Sequence, residues 1–151
     1  MKHLKAFTLI ELLVVIGIIA TLTTVVFVAV NPAKRFQDAR NARRTGDADT
    51  LLSAVHQYIV DTGGSLPAGV GTPASQIGTC ATGGATLCPG ANAACIDLTT
   101  VLSGGKYLKT NPIDPQTGSA VTTGYSVTKD ANNLFTITAC SAEGTTIQIS
   151  R

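Results

Sequence analysis

Two sets of residues in this 151-residue chain could do chemistry: a carboxylate, Glu11, set inside an unbroken apolar run, and four cysteines, Cys80, Cys88, Cys95 and Cys140, confined to the C-terminal half. From Phe7 to Val30 there are twenty-four residues, and Glu11 is the only charged one. About 20 apolar residues suffice to cross a bilayer as a helix. A carboxylate inside such a span is costly unless it has a partner, so Glu11 is predicted to form a specific polar contact in an apolar setting. The cysteines contain no CxxC pair, and the only histidines are His3 and His56. That spacing favours disulfides over zinc ligation, and four cysteines allow three pairings among which the sequence does not choose. Paired cysteines imply an oxidising compartment outside the cytoplasm.

Catalytic constellations are missing from the sequence. His56 falls beside an apolar helical stripe with no motif partner, and there is no phosphate loop, HExxH or nucleophile elbow. Asp114 and Asp130 are the only acidic residues between Asp97 and Glu143. A calcium site needs 6–8 oxygen ligands, so Asp114, flanked closely by Pro112 and Pro115, reads as a turn residue and no metal or cofactor is expected. The chain is expected to be no enzyme.

The elements that must position these groups follow from periodicity. The run from Phe7 to Val30 reads as a transmembrane helix. Ala48, Leu51, Leu52, Val55, Tyr58 and Ile59 recur at three- and four-residue spacings, one apolar stripe on a helix that Gly63 would cap. Continuous helix from Phe7 to Thr62 would reach about 84 Å at 1.5 Å per residue, with a kink expected at Pro32, which lacks a backbone donor. The charges of residues 34–49 read as a solvated helix face or, alternatively, as pairs between neighbouring subunits. Residues 63–106 are rich in Gly, Ala, Thr and Pro, a segment for disulfides to staple; closing a loop of about 15 residues is worth roughly 3 kcal/mol. Asp97 is placed to cap a short helix over 98–102. Alternation predicts strands within 120–127, 134–140 and 145–149, with a hairpin connection at 129–133. Three short antiparallel strands packed on the Leu52/Val55/Ile59 stripe make an α+β head.

Charge adds two constraints. Charged residues are 13% of the chain and the formal net charge is +2. With aromatics at 5% and no clustered basic face, specific nucleic-acid binding is not expected. Lys34, Arg35, Arg40, Arg43 and Arg44 follow the apolar run, whereas Lys2 and Lys5 precede it. Counted alone, the positive-inside rule puts the C-terminal part in the cytoplasm; cysteine usage puts it outside.

The N-terminus resembles the class III signal of type IV prepilins and of the pseudopilins of type II secretion systems. The matching residues are Phe7, Thr8, Leu9, Ile10 and Glu11, followed by the apolar run Leu12, Leu13, Val14, Val15 and Ile16. An ordinary secretory signal has an apolar core of about 7–15 residues, and a plain anchor leaves Glu11 unexplained. The resemblance implies a leader over residues 1–6, cut between Ala6 and Phe7; the residue before the cut is usually Gly and here is Ala6. It implies N-methylation of the new Phe7 terminus and pairing of Glu11 with the Phe7 amine of a neighbouring subunit. The implied organisation is a transmembrane, later filament-core, helix at 7–30, an amphipathic half of the same helix at 31–62, and a head at 63–151. The implied partners are identical or homologous subunits in a helical filament, a prepilin peptidase, the assembly platform with its ATPase, and the membrane before assembly. The implied location is the inner membrane, single pass with the N-terminus inside and the head outside, then a surface or periplasmic filament. The cysteine-bearing segment favours a surface pilin, while the short-sheet plan and the Asp114-Pro115 region favour a secretion or competence pseudopilin. The alternative of another class is a membrane-anchored binding module that does not assemble.

Overall fold

The computed structural model describes residues 7–151, the Val30 side chain excepted; the expected leader 1–6, and Ala6 with it, lie outside the described residues. Two compact units divide at Asp38 and Ala39. The architecture is α+β: helix α1 (Leu9–Val30), helix α2 (Pro32–Asp61), then a head of strands β1 (Ser75–Gln76), β2 (Tyr125–Lys129), β3 (Phe135–Ala139) and β4 (Ile147–Ser150), with a short helix α3 (Leu98–Val101).

The continuous helix expected over 7–62 is instead two helices. Asn31 adopts a left-handed conformation, φ 44° and ψ 78°, and ends α1. Pro32 then opens α2 at the first helical position, where its missing N–H costs no helical bond and its fixed φ suits helix entry. Asn31 caps this second start: its side-chain oxygen accepts from the Lys34 amide at 3.3 Å and its carbonyl from Arg35 at 3.3 Å. At the other end α2 closes in a Schellman arrangement. The Gly64 amide donates to the Ile59 carbonyl at 2.8 Å and the Gly63 amide to Val60 at 3.3 Å, with Gly63 at φ 68°. A side chain at Gly63 would be strained there.

The sheet is wholly antiparallel in the order β1-β2-β3-β4, one strand more than the sequence predicted. Register is regular: Val127 faces Ile137 and Ile137 faces Ile149, so one face is apolar. That face closes on α2. Ala48, Leu51, Leu52 and Val55 are fully buried, together with Tyr125, Val127, Ile137 and, from α3, Leu98. Fully burying a Leu, Val or Phe side chain contributes about 1.5–3 kcal/mol, so this stripe is the main source of the head's stability. Asp97 caps α3, accepting from the Thr99 amide at 3.0 Å. Asp130 organises the β2–β3 turn, accepting from the amides of Asn132 and Leu134, each at 2.8 Å.

Candidate functional site on the N-terminal helix

Helix α1 begins with a reciprocal capping box. Thr8 is the N-cap; the Glu11 amide donates to its hydroxyl oxygen at 3.3 Å, and the Thr8 amide donates back to Glu11 Oε2 at 2.9 Å. The Thr8 hydroxyl also donates to Oε2, at 2.7 Å. The carboxylate therefore lies at the positive end of the helix dipole, where negative charge is favoured. Oε1 has no hydrogen-bond partner among the described residues, so the group keeps one oxygen for an outside donor. Phe7, Ile10, Glu11, Val14 and Val15 line a shallow groove around it, and Phe7 is 82% exposed. Thr8-Leu9-Ile10-Glu11 fits the S/T-x-x-E capping pattern, the signal in the sequence that gives Thr8 a role of its own.

The rest of α1 satisfies its polar groups without help. Thr21 donates to the Ile18 carbonyl at 2.8 Å, Thr23 to Ile19 at 2.7 Å and Thr24 to Ala20 at 2.9 Å. No hydroxyl of this segment needs water, which suits it to lipid or to an apolar helix packing. Its apolar side chains, by contrast, are exposed. Leu9–Ala29 is long and apolar enough to cross a membrane.

The head holds a second charged centre, which corrects the reading of residues 34–49 as a solvated face. Arg44 is completely buried. Its Nε donates to Asp114 Oδ2 at 2.6 Å and its Nη1 to Glu143 Oε1 at 2.9 Å. Arg40 grips the same Glu143 with two bonds of 2.6 Å, and the Asn41 amide group donates to the Glu143 carbonyl at 2.9 Å. Asp114 is 3% exposed; it also accepts from the amides of Gln116 and Thr117, so it is the predicted turn residue and an ion-pair partner together. Burial by itself would raise the Asp114 carboxyl, but Arg44 and the two amides outweigh it and hold the group below the ordinary range. The hydrogen bonds from Arg40 and Arg44 hold Glu143 at about 2. Gly124, at φ 83°, makes room for this centre, since a Cβ there would lie 2.8 Å from Asp114 Cβ. Two further cations after the apolar run are met locally, Lys34 by Asp38 at 3.0 Å and Arg43 by Asp47 at 3.7 Å.

Cysteines pair as Cys80–Cys95 and Cys88–Cys140. The second bridge ties the Gly-rich segment to the end of β3. His56 Nε2 lies 3.2 Å from the Arg151 carbonyl on the helix flank. Among the described residues no group of three His, Cys, Asp or Glu side chains is gathered to hold a metal ion.

A family model described as the prokaryotic N-terminal methylation motif matches residues 1–27. No curated protein and no solved structure matches the chain. The motif points to a structural role, implies processing by a prepilin peptidase and assembly with other subunits, and with α1 fits anchoring in a membrane. The chain thus carries at its N-terminus the class III prepilin-like signal of type IV pilins and pseudopilins.

Proposed function

We propose that this chain is a structural subunit of a type IV pilus-like filament, held in the membrane by α1 and assembled through it after cleavage between Ala6 and Phe7. The observation that carries the reading is Glu11: within the segment matching the methylation motif, it is locally capped yet has one oxygen without a partner among the described residues, on a helix whose apolar side chains are exposed. Cleavage frees an amine at Phe7. In a stack of identical helices the amine of one subunit meets Glu11 of another inside apolar surroundings. Removing one member of a buried pair strands the other at about 3–5 kcal/mol, so the pair imposes a strong register on docking. Such assembly is head-to-tail and open, as a helical filament requires.

The two disulfides suit a head outside the cytoplasm, as a surface fibre requires. The short-stranded sheet, with Asp114-Pro115 ahead of β2, favours the alternative, a secretion or competence pseudopilin. N-terminal mass spectrometry of sheared surface material tests the reading. The expected species begins at Phe7 and carries one added methyl group. An intact Met1 terminus with no sheared fibre overturns it in favour of an anchored binding module.

A further inference from the structure

The outer face of the sheet carries a row of hydroxyls, and their pairing differs along it. Away from its centre they are used internally: Thr128 donates to the Gly71 carbonyl at 3.0 Å, and Thr136 and Ser150 bond each other at 2.8 Å. Nearby, Thr117 donates to Ser141 at 2.7 Å. Ser126 and Thr138, paired across β2 and β3, do otherwise. Ser126 is 6% exposed, and neither its hydroxyl nor that of Thr138 has a partner among the described residues. Both line a cleft of about 290 Å³ that Thr145 and Thr146 border at its rim and that the Cys88–Cys140 bridge walls.

Both hydroxyls reach the surface of the cleft, whereas their neighbours on the same face are bonded within the protein. The unmet groups are therefore open for an occupant. No charged side chain lines the cleft, so neither a phosphate, a carboxylate nor an ammonium ion finds a counter-charge. Each hydroxyl can both donate and accept, a match for vicinal hydroxyls that do the same. Pro89, Ala91 and Ala142 supply apolar wall for C–H groups. The volume is at the small end for ligand clefts, which run from about 300 Å³ upwards. The disulfide fixes the distance between the walls, so little ordering is left to the moment of binding. From this we infer that the cleft is a binding site for a neutral polyhydroxylated ligand of the size of one pyranose ring, free or at the end of a glycan.

Saturation-transfer NMR on the full chain in detergent micelles, with the methyl glycosides of glucose, galactose and mannose at millimolar concentration, tests the site. At least one glycoside is expected to receive transfer, with Ser126→Ala and Thr138→Val each weakening binding roughly five- to tenfold, the worth of one neutral hydrogen bond. Thr136→Val, outside the cleft, is expected to change nothing. Ala91→Phe, which fills the cleft without removing a polar group, is expected to abolish transfer, and it keeps the question answerable if a hydroxyl variant misfolds. Competition by dextran, galactan and mannan separates the sources: stronger binding of the matching polymer identifies a glycan end, and equal binding per ring a free sugar. A cleft filled by water alone gives no transfer from any of the three glycosides, and that result overturns the inference. Transfer that survives Ser126→Ala, Thr138→Val and Ala91→Phe unchanged overturns it as well.

Discussion

The two units satisfy their polar groups in opposite ways. In α1 every polar contact is local: Glu11 with Thr8 three residues away, and three threonines with carbonyls three or four residues back. In the head the decisive contacts span the chain, Arg44 to Asp114 across 70 residues and Arg40 to Glu143 across 103. Apolar burial runs the other way. The head closes a core on Leu51, Leu52 and Val55, whereas Leu9, Ile10, Leu12 and Leu13 are all more than half exposed. A segment whose polar contacts are all local, Glu11 Oε1 alone left unmet among the described residues, and whose apolar surface is open is suited to two apolar environments in succession, lipid and then a bundle of like helices, because neither transfer breaks a polar contact. A segment locked by distant ion pairs and disulfides is suited to one shape.

The sharpest test of that contrast is Glu11→Leu. Among the described residues its carboxylate touches only Thr8, so the head is expected to melt as in the parent while sheared fibre falls to background. Fibres in normal yield would break the pairing mechanism, and a destabilised head would break the claim that α1 contacts are local. Arg44→Ala is the mirror experiment. It strands the buried Asp114 and should cost the head about 3–5 kcal/mol in denaturant unfolding of the micelle-bound chain. Arg43→Ala, on an exposed pair of 3.7 Å, should cost no more than about 0.5 kcal/mol. Equal costs for the two arginines would mean that Arg44 is solvated.

What could be read from the sequence divides along the same line as the contacts. The transmembrane-length run, the Leu51/Leu52/Val55 stripe, the Asp97 cap and strands β3 and β4 all rest on residues at most a few positions apart, and periodicity or cap chemistry exposes them; β2 begins only at Tyr125, five residues into the expected 120–127, and runs on to Lys129 in the expected turn. The helix interruption was half legible. Pro32 marked the place, but the break sits at Asn31, because Pro is comfortable at a helix start while Asn tolerates the left-handed conformation that ends α1. Strand β1 is two residues long, too short for any alternation. The Arg44–Asp114–Glu143 centre left no trace, since a local charge pattern is the same whether an arginine faces water or a carboxylate 70 residues on. Pairing of the cysteines was likewise a question of folded distance.

The disulfides grade the head's dependence on long-range closure. Cys88–Cys140 closes 52 residues and Cys80–Cys95 closes 15. Chain entropy assigns them about 4 and about 3 kcal/mol respectively. Replacing both cysteines of each bridge by serine should therefore order the variants by loop length, with Cys88→Ser/Cys140→Ser the less stable in denaturant unfolding. The reverse order would place the larger part of the stabilisation in the packing of the Gly-rich segment around Cys80 and Cys95.

The smallest effect separates a local polar contact of the head from its long-range ones. Burial pushes the Asp97 carboxyl up, but the hydroxyls of Thr100 and Thr99 and the Asn111 amide outweigh it and hold the group at about 2. Arg40 and Arg44 hold Glu143 at about 2 as well. Both folded values lie below the unfolded ones of about 3.9 and 4.3. The stability these groups contribute is therefore complete above about pH 5 and is lost as the pH falls through 4 towards 2. Asp97→Asn keeps a competent N-cap, since Asn and Asp cap equally well, and removes the titration. At pH 7 it should change stability by less than about 1 kcal/mol, and between pH 4 and 2.5 it should lose less stability than the parent does. Arg40→Ala should flatten the same acid limb by leaving Glu143 with Arg44 alone, but at a cost visible already at pH 7. If Asp97→Asn falls as steeply on acidification as the parent, the acid sensitivity of the head belongs to the long-range pairs alone.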